Sequence, residues 1–265
     1  MQRRFARVYE EAGAHGAVSD LIRRHSSNPI DVRDVALAGI DRVGASLDLG
    51  CGFGFMAEGL ARRARPGIEI VGIDVNGANR TPFLARVRAA GCRGRFVCRA
   101  LDERLRFADR SFRTVVASYS LYFFPGLVPE VARVVVPGGR FVVITHRETS
   151  LRSLLDVLGL PVAEAPQVAA LHACSAETAP SVLKPWFGTV EERPYHNELV
   201  FERSDLGDLL TYVRFKLPLI IRGFPIGSDV PTPVVERARE ALDGDGRIVI
   251  AKDDSVFVCT GPARP

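Results

Sequence analysis

Residues 46–55 read SLDLGCGFGF, a short apolar segment that leads directly into glycines at alternate positions, Gly50, Gly52 and Gly54. Glycine tolerates positive φ and lets a ligand approach the backbone closely, so the pattern predicts a strand followed by a ligand-binding turn. Asp48 stands two residues before the first glycine. A carboxylate at this point disfavours a diphosphate and favours a ligand that carries positive charge.

The spacing of these glycines, GxGxG, differs from the GxGxxG of dinucleotide-binding turns, in which a diphosphate meets the N-terminus of the next helix. The spacing by itself leaves an NAD-dependent oxidoreductase open. S-Adenosylmethionine fits the acid better, because it carries an ammonium and a sulfonium and no phosphate. A purely structural alternative also stays open, in which Asp48 caps the following turn.

The composition is that of an ordinary globular chain of 265 residues, 47% hydrophobic and 25% charged, which suits one large α/β domain. The net charge of +4 is too small to indicate a nucleic-acid partner by itself. The 35 basic residues comprise three lysines and therefore 32 arginines. We interpret this bias as the mark of a GC-rich genome.

The sequence carries no clear signal for a membrane span, for secretion or for metal binding. No apolar run approaches the length of a membrane span, and the charged start of the chain lacks the apolar core of a signal peptide, which predicts a cytoplasmic protein. The five cysteines are odd in number, scattered and never spaced CxxC, so neither a disulfide framework nor a zinc site is expected. No cluster of acids indicates a catalytic metal.

Hydrophobic periodicity alternates between strand and helix from residue 45 to residue 146, which predicts a parallel sheet with right-handed crossovers. The two strands expected near the end, around Lys252 and Asp254, would complete this sheet with an antiparallel edge. We expect one domain over residues 1–265. Its parts would be an N-terminal helical cap at 1–44, a cofactor-binding core at 45–146, a lid insertion at 147–187, and C-terminal strands and helices at 188–265.

A second acid and a loop extend the predicted site. Asp74 ends the second strand, twenty residues after Gly54, where an acidic side chain can accept hydrogen bonds from both ribose hydroxyls. NAD and S-adenosylmethionine share this feature, and Asp74 as a helix cap is the structural alternative. The loop at 100–112 can hold an adenine between apolar side chains, with Leu101 and Asp102 placed for that contact.

Four segments together resemble the class I S-adenosylmethionine-dependent methyltransferases, in particular the branch that modifies small molecules. The segments are DLGCGFG (48–54), GIDVN (72–76), ALDERLRFADRSFRTVVASYSLYFF (100–124) and EVARVVVPGGRFVVI (130–144). The match covers residues 45–146. The resemblance implies an α/β fold that is Rossmann-like and doubly wound, with a mostly parallel seven-stranded sheet, an antiparallel edge and a helical cap.

The resemblance also implies how the cofactor, S-adenosylmethionine, would bind. The glycine turn would hold the methionine part, Asp74 the ribose, and Leu101 and Asp102 the adenine, while Ser118 would lie beside the sulfonium. Many relatives carry an acid at the position of Leu101, so here either Asp102 takes the adenine amino group or a backbone contact replaces that bond. The implied cofactor-binding residues are Asp48, Leu49, Gly50, Cys51, Gly52, Gly54, Asp74, Val75, Leu101, Asp102 and Ser118.

Residues expected near the acceptor follow the fourth and fifth strands. His146 directly follows the fifth strand and is the predicted catalytic base, with a structural histidine as the equal alternative. Tyr119 and Tyr122 follow the fourth strand, and packing into the core is their structural alternative. Tyr9, Tyr119 and Tyr122 are the predicted substrate-binding residues.

The acceptor class is predicted from two further features. SYSLYFFPG follows the fourth strand, in place of an Asn-Pro-Pro-Tyr sequence typical of enzymes that methylate nucleobase amino groups. The expected lid is rich in leucine and contains Trp186, which favours a small, partly hydrophobic acceptor. Two alternatives remain open. One is an RNA or other nucleic-acid methyltransferase, because seven arginines concentrate between residues 86 and 106, and the other is a non-catalytic S-adenosylmethionine-binding protein.

Overall fold

The computed structural model describes residues 12–40, 44–102, 104–160 and 170–263 of the chain. Contacts divide the chain into two compact units. The sheet unit comprises Ile30–Thr145, Ala173–Tyr195 and Ser255–Pro265, and the companion unit comprises Met1–Pro29, His146–His172 and His196–Asp254. The segment predicted as a lid is thus shared between the two units, and the four-part division of one domain stays a prediction.

The described residues form strands and helices in the alternation predicted from the sequence. The strands are β1 (Ser46–Leu49), β2 (Glu69–Asp74), β3 (Arg93–Cys98), β4 (Phe112–Ser118), β5 (Val135–His146), β6 (Phe187–Tyr195), β7 (Glu198–Glu202), β8 (Arg247–Ala251) and β9 (Asp254–Pro262). The α-helices are α1 (Ala12–His25), α2 (Val32–Leu37), α3 (Phe55–Arg63), α4 (Arg80–Ala89), α5 (Val128–Val134), α6 (Arg152–Leu158), α7 (Ala179–Leu183), α8 (Leu206–Ile220) and α9 (Thr232–Asp245).

The larger sheet of the described residues contains seven strands in the order β3-β2-β1-β4-β5-β9-β6. β1 pairs in parallel with β2 and β4, β2 with β3, and β4 with β5, and one strand of the sheet is antiparallel. The predicted Rossmann-like fold class is confirmed. Since the carboxyl ends of parallel strands meet at one edge of a sheet, Asp48, one residue before the end of β1, lies at the same edge as Asp74 and Ser118, which end β2 and β4.

The core of the sheet unit is formed where helices bury their apolar faces on the sheet. Met56 and Leu60 of α3 and Phe83 and Val87 of α4 fall on helical spacing and are fully or almost fully buried. A Cβ atom at Gly72 of β2 would lie 2.5 Å from the Phe83 ring and 2.6 Å from Cys51 Sγ. The Phe83 ring therefore packs directly on the backbone of β2 because position 72 has no side chain.

β5 begins at Val135, and its pairing with β4 shifts in register between Phe112 and Thr114. The prediction that both terminal strands complete the large sheet was wrong for β8. β8 pairs antiparallel with β7 in a separate two-stranded sheet, because both strands alternate and bury one apolar face, which includes Phe201 and Ile250.

The companion unit joins α1 to the two-stranded sheet and to α8. The His25 ring stacks on Phe201 with ring centroids 4.4 Å apart, and its Nε2 lies 2.8 Å from Asp208 Oδ2. α8 follows a capping box in which Glu202 and Asp205 each bond the other's backbone N–H. No helix in the described ranges is both long enough and apolar enough to span a membrane.

We expect Gly72→Ala to destabilise the protein by about 1–3 kcal/mol, because the added methyl group overlaps Phe83 and Cys51 in a closely packed core. Urea unfolding measures the change. Gly126→Ala is the matched control, since an added Cβ there meets nothing within 4 Å. Equal unfolding midpoints for the two variants would contradict the packing described for β2.

Candidate S-adenosylmethionine site

The glycine turn after β1 depends on backbone conformations that favour glycine. Gly50, Gly52 and Gly54 have φ values of 68°, 48° and 94°. A Cβ atom at Gly50 would also lie 2.6 Å from the Cβ of Ser120, whose Oγ donates a hydrogen bond to the Leu49 carbonyl oxygen. The first glycine is therefore required both by conformation and by the close approach of the segment after β4.

The amide N–H groups of the turn donate hydrogen bonds within the protein. Gly50 N and Cys51 N both donate to the carbonyl oxygen of Ile73, at 2.8 and 3.0 Å. Gly52 N donates to Asp74 Oδ2 at 2.8 Å. A phosphate-binding turn presents such groups to its anion. Here they connect the turn to the end of β2, which fits a ligand without phosphate.

Asp48 is the most deeply buried acid of this edge, with 1% of its surface exposed. It accepts a backbone hydrogen bond from Ala57, and among the described residues its Oδ2 atom has no partner. Burial, together with the negative charge of Asp74, raises the pKa of Asp48 from 3.8 to about 8. Asp48 is therefore mainly protonated at neutral pH, and an approaching cation would favour its ionised form.

Asp74 accepts hydrogen bonds from two turns, the glycine turn after β1 and the turn after β2. Its Oδ1 accepts from Asn76 N at 2.8 Å and from Asn79 Nδ2 at 3.4 Å, while its Oδ2 holds Gly52 N. Asp74 can both cap these turns and bind a ligand, the two roles that the sequence left open, because each carboxylate oxygen has two lone pairs. The roles of Asn76 and Asn79 were missed, although the Asn-Gly pair at 76–77 is a turn signal.

The other predicted cofactor residues differ in exposure. The Val75 side chain is 50% exposed, Asp102 is exposed and Leu101 is half-buried, whereas Leu49 is fully buried. Ser118 ends β4, and its Oγ is buried without a partner among the described residues. Asp48 Oδ2 and Ser118 Oγ are thus two orphaned polar atoms at the ends of neighbouring strands, the pattern expected where a polar ligand completes the hydrogen bonding.

Cys51 lies inside this group with 5% of its surface exposed. Burial raises the pKa of its thiol well above the ordinary value, and the charges of Asp48 and Asp74 act in the same direction. A thiol held in its protonated form is a poor nucleophile. Cys51 therefore packs as a small apolar side chain in the turn.

The loop predicted to face the adenine is anchored by Arg133 of α5. Its guanidinium donates to the carbonyl oxygens of Leu105 and Phe107, at 2.9 and 3.0 Å, and pairs with Glu130 at 2.7 Å. Glu130 in turn accepts from Leu105 N at 2.9 Å, and Arg133 lowers the pKa of its carboxyl. Phe107 meets Phe112 edge to face, with ring centroids 4.9 Å apart, which holds the end of the loop against β4.

The segment after β4 carries backbone strain. Tyr119 has φ of 54°, unusual for a residue that is not glycine, and its N–H donates to the Ile144 carbonyl oxygen at 2.8 Å. Strained residues of this kind concentrate at functional sites. Tyr122 is 4% exposed and packs edge to face on Phe123. Tyr9 lies outside the described residues.

His146, the last residue of β5, belongs to a buried polar cluster of the companion unit. Its Nδ1 lies 2.6 Å from Asp254 Oδ1, and the other carboxylate oxygen of Asp254 pairs with Lys252 Nζ at 2.9 Å. Burial lowers the pKa of His146, an effect that Asp254 opposes and that Lys252 and Lys216 increase. The sequence placed Lys252 and Asp254 in a turn between strands and missed this pairing, which joins residues more than a hundred positions apart.

The arginines between residues 86 and 106 have acidic and aromatic partners. Arg86 pairs with Glu58 at 2.9 Å, and Arg95 pairs with Glu69 at 3.4 Å and lies over the Phe107 ring. These pairs reduce the positive charge that the stretch presents. Within the described ranges, no group of three or more His, Cys, Asp or Glu side chains is arranged to hold a metal ion.

The sequence from β1 to the start of β5 matches a known family. Residues 47–139 match the family model of a methyltransferase domain. Residues 47–139 thus carry a methyltransferase domain, which agrees with the predicted resemblance to class I S-adenosylmethionine-dependent methyltransferases.

Solved structures of low sequence identity share the fold of this methyltransferase. The YcgJ protein from Bacillus subtilis is 16% identical, with a TM-score of 0.55, and the match covers 88% of this chain and 97% of that one. The [4+2]-cyclase SpnF is 19% identical, with a TM-score of 0.53, and the match covers 88% of this chain and 81% of that one. No curated protein matches the sequence at a significant level.

The raised pKa of Asp48 predicts a pH dependence of stability. Between pH 4 and pH 8 the unfolded chain loses the Asp48 proton while the folded methyltransferase keeps it, because the folded pKa is about 8 and the ordinary value is 3.8. The free energy of unfolding then falls with rising pH, by up to about 1.4 kcal/mol per unit. Asp48→Asn cannot ionise and lacks this fall, so its stability relative to wild type increases by a few kcal/mol over the window.

Urea unfolding of the cofactor-free protein at a series of pH values measures this difference. Asp229→Asn is the control, since the Asp229 side chain is 97% exposed. Parallel stability profiles for wild type and Asp48→Asn would show that Asp48 ionises in the folded protein as it does in the unfolded chain.

Proposed function

We propose that this methyltransferase transfers the methyl group of S-adenosylmethionine to a small-molecule acceptor. The observation that carries the proposal is the burial of the His146–Asp254 pair, since His146 is 8% exposed. A small molecule can enter a buried site as a whole and so reach the catalytic base. A nucleobase within a nucleic acid must first be flipped out of its base stack, which costs free energy. The absence of an Asn-Pro-Pro-Tyr sequence after β4 supports the same class of acceptor.

We also propose how the donor is held. Asp48 and Ser118 would supply the two orphaned polar atoms to the methionine part, with Leu49, Gly50, Cys51, Gly52 and Gly54 forming the turn beneath it. When the ammonium of the donor arrives, Asp48 would give up its proton and become the counter-charge. Asp74 and Val75 would face the ribose, and Leu101 and Asp102 the adenine.

The chemistry supplied by the bound donor is an electrophilic methyl group on a sulfonium. The protein's part is to align the acceptor with that methyl group, since orientation supplies much of the rate of a displacement. His146 would remove the proton that the acceptor loses. The Nδ1–H of His146 donates a hydrogen bond to Asp254 Oδ1, which places the lone pair of the neutral ring on Nε2. The lowered pKa of His146 keeps the ring neutral near pH 7.

The acceptor itself would be lined by Tyr119 and Tyr122, together with Tyr9. The strained backbone of Tyr119 supports this assignment, because the strain fixes the direction of the chain directly after Ser118. The leucine-rich segment predicted as a lid from the sequence favours an acceptor with a partly hydrophobic surface.

Asp74→Ala should weaken binding of S-adenosylhomocysteine by about 1–3 kcal/mol, because the variant loses the acceptor of the ribose hydroxyls. Asp74 also accepts a hydrogen bond from Gly52 N, so its removal could weaken binding by disturbing the turn. A double-mutant cycle that pairs Asp74→Ala with the 2′-deoxy analogue of S-adenosylhomocysteine separates the loss of the ribose contact from the disturbance of the turn. Wild type should discriminate between the two ligands in calorimetry, and Asp74→Ala should not. Equal discrimination by both proteins would remove Asp74 from the ribose site.

To test the activity, the enzyme and S-adenosylmethionine are incubated with one of two fractions of the same cell extract, the dialysable small molecules or the RNA. Release of S-adenosylhomocysteine measures methyl transfer. We expect release with the dialysable fraction. His146→Gln should lower this turnover by about 100-fold with unchanged donor affinity, since general bases contribute at least that much. His172→Gln is the control, because the His172 side chain is 72% exposed. Activity with RNA alone, or wild-type turnover in His146→Gln, would contradict the respective part of the proposal.

A further inference from the structure

The loop between β3 and β4 contains neither a helix nor a strand in its described residues. It starts at Arg99, whose N–H donates to the Asp74 carbonyl oxygen at 2.9 Å, so its first residue is fixed to the end of β2. Leu101 and Asp102, the residues proposed to face the adenine, follow shortly after. Each irregular residue that a ligand must order costs backbone entropy, so the affinity for adenine depends on what already holds this loop.

The guanidinium of Arg133 in α5 uses all five of its N–H donors. Three of these hydrogen bonds reach the loop, at the carbonyl oxygens of Leu105 (2.9 Å) and Phe107 (3.0 Å) and at Asp109 Oδ1 (2.6 Å). The other two reach the two carboxylate oxygens of Glu130, both at 2.7 Å. Glu130 Oε2 in turn accepts from Leu105 N at 2.9 Å, so both backbone groups of Leu105 are held.

The backbone at the end of α5 holds the end of the loop. Arg110 N donates to the Arg133 carbonyl oxygen at 3.0 Å, and Ser111 N donates to that of Val134 at 2.8 Å. Arg110 has φ of 52°, a conformation that costs free energy in a residue other than glycine and persists only where its neighbours enforce it. The loop therefore ends in a segment, residues 105–111, that α5 holds in place.

The segment that carries Leu101 and Asp102, residues 100–104, lies between these two fixed points. Without the side chain of Arg133, the segment that a bound base has to order would extend toward residue 111. The additional ordering would lower the affinity for the base. A lysine cannot replace the guanidinium, because an ammonium has three donors and lacks the planar fork.

We propose that Arg133 is a positioning residue for the donor, which holds the loop so that Leu101 and Asp102 meet the adenine with little further ordering. This assignment rests on the proposed binding of the donor, and Arg133 itself does not touch the ligand. Arg133 and the loop lie in the sheet unit together with the glycine turn. Loss of the guanidinium therefore weakens recognition of the base and leaves recognition of the ribose and methionine parts intact.

The test compares two ligands in calorimetry with the full chain. One is S-adenosylhomocysteine, and the other is its analogue with a methoxy group in place of the adenine. Arg133→Lys should weaken binding of S-adenosylhomocysteine by about 10-fold, because an ammonium can replace at most three of the five hydrogen bonds. The same variant should bind the methoxy analogue as wild type does. Arg106→Lys is the matched control and should change neither affinity, since Arg106 is an exposed arginine of the same loop.

Glu130→Gln is a second, milder variant. It keeps the size of the side chain and an oxygen for Leu105 N, but it removes the charge that Arg133 pairs with. We expect about 3-fold weaker binding of S-adenosylhomocysteine and unchanged binding of the methoxy analogue. Urea unfolding shows whether each variant is folded before its affinities are compared, and Glu130→Gln carries the test if Arg133→Lys does not fold.

Hydrogen exchange gives an independent readout on the loop itself. Without ligand, the amides of residues 105–111 should exchange at least about 10-fold faster in Arg133→Lys than in wild type, because local opening becomes easier. S-Adenosylhomocysteine should slow the exchange of these amides in the variant, since the base then orders the segment that Arg133 no longer holds. Arg106→Lys should exchange as wild type does.

Three outcomes would overturn the proposal. They are unchanged affinity of both Arg133→Lys and Glu130→Gln for S-adenosylhomocysteine, equal weakening of binding for the two ligands, and loop exchange in Arg133→Lys equal to that of wild type. Failure here is distinct from failure of the proposed function. Methyl transfer to a small molecule without these binding differences would refute the role of Arg133 alone, whereas these binding differences without any methyl transfer would refute the function alone.

Discussion

The burial of one carboxyl group, Asp48, is the constraint on which the turn after β1 depends. An acid with 1% of its surface exposed cannot keep a charge without a partner, so it stays protonated until a cation arrives. The turn can then close over it, with Gly50 N and Cys51 N donating to Ile73 and Gly52 N to Asp74. The same bonds join the ends of β1 and β2, where the donor is expected.

This arrangement explains how a glycine-rich turn that resembles a phosphate-binding turn can instead bind a sulfonium compound. A phosphate needs amide N–H groups that point outward, and here those groups are used inside the protein. What the turn offers instead is Asp48 Oδ2 and, on the neighbouring strand, Ser118 Oγ, two atoms that have no hydrogen-bond partner among the described residues. The fold alone does not specify this chemistry, since SpnF, a [4+2]-cyclase, shares it.

The companion unit buries charged groups as well. Asp254 is fully buried and pairs with His146 and Lys252, and Lys216 is almost fully buried beside the Tyr212 ring. Burial raises the pKa of an acid, Asp48, in the sheet unit and lowers the pKa of an amine, Lys216, in the companion unit, because it disfavours the charged form of each group.

Local patterns in the sequence predicted most strands and helices of the sheet and the candidate residues of the donor site. β1, β2 and β4 follow from the sequence because each is a short, mostly apolar and buried run beside its own turn signals, whereas β3 buries only Phe96. The glycines, Asp48 and Asp74 were identified for the same reason, since their meaning depends on neighbours a few positions away. The partner of β8 was not determined, because strand pairing joins distant segments and β7 offered the matching apolar face.

Tertiary structure alone decided which charged groups are buried and what they face. The sequence showed that Asp48 is an acid near a strand end, but its raised pKa comes from its burial in the folded protein and from the charge of Asp74. His146 was chosen from the sequence by position, whereas its partners Asp254, Lys252 and Lys216 come from segments that follow it by seventy to more than a hundred residues. Desolvation and ion pairing act through space over a few ångströms, and no local pattern encodes those distances.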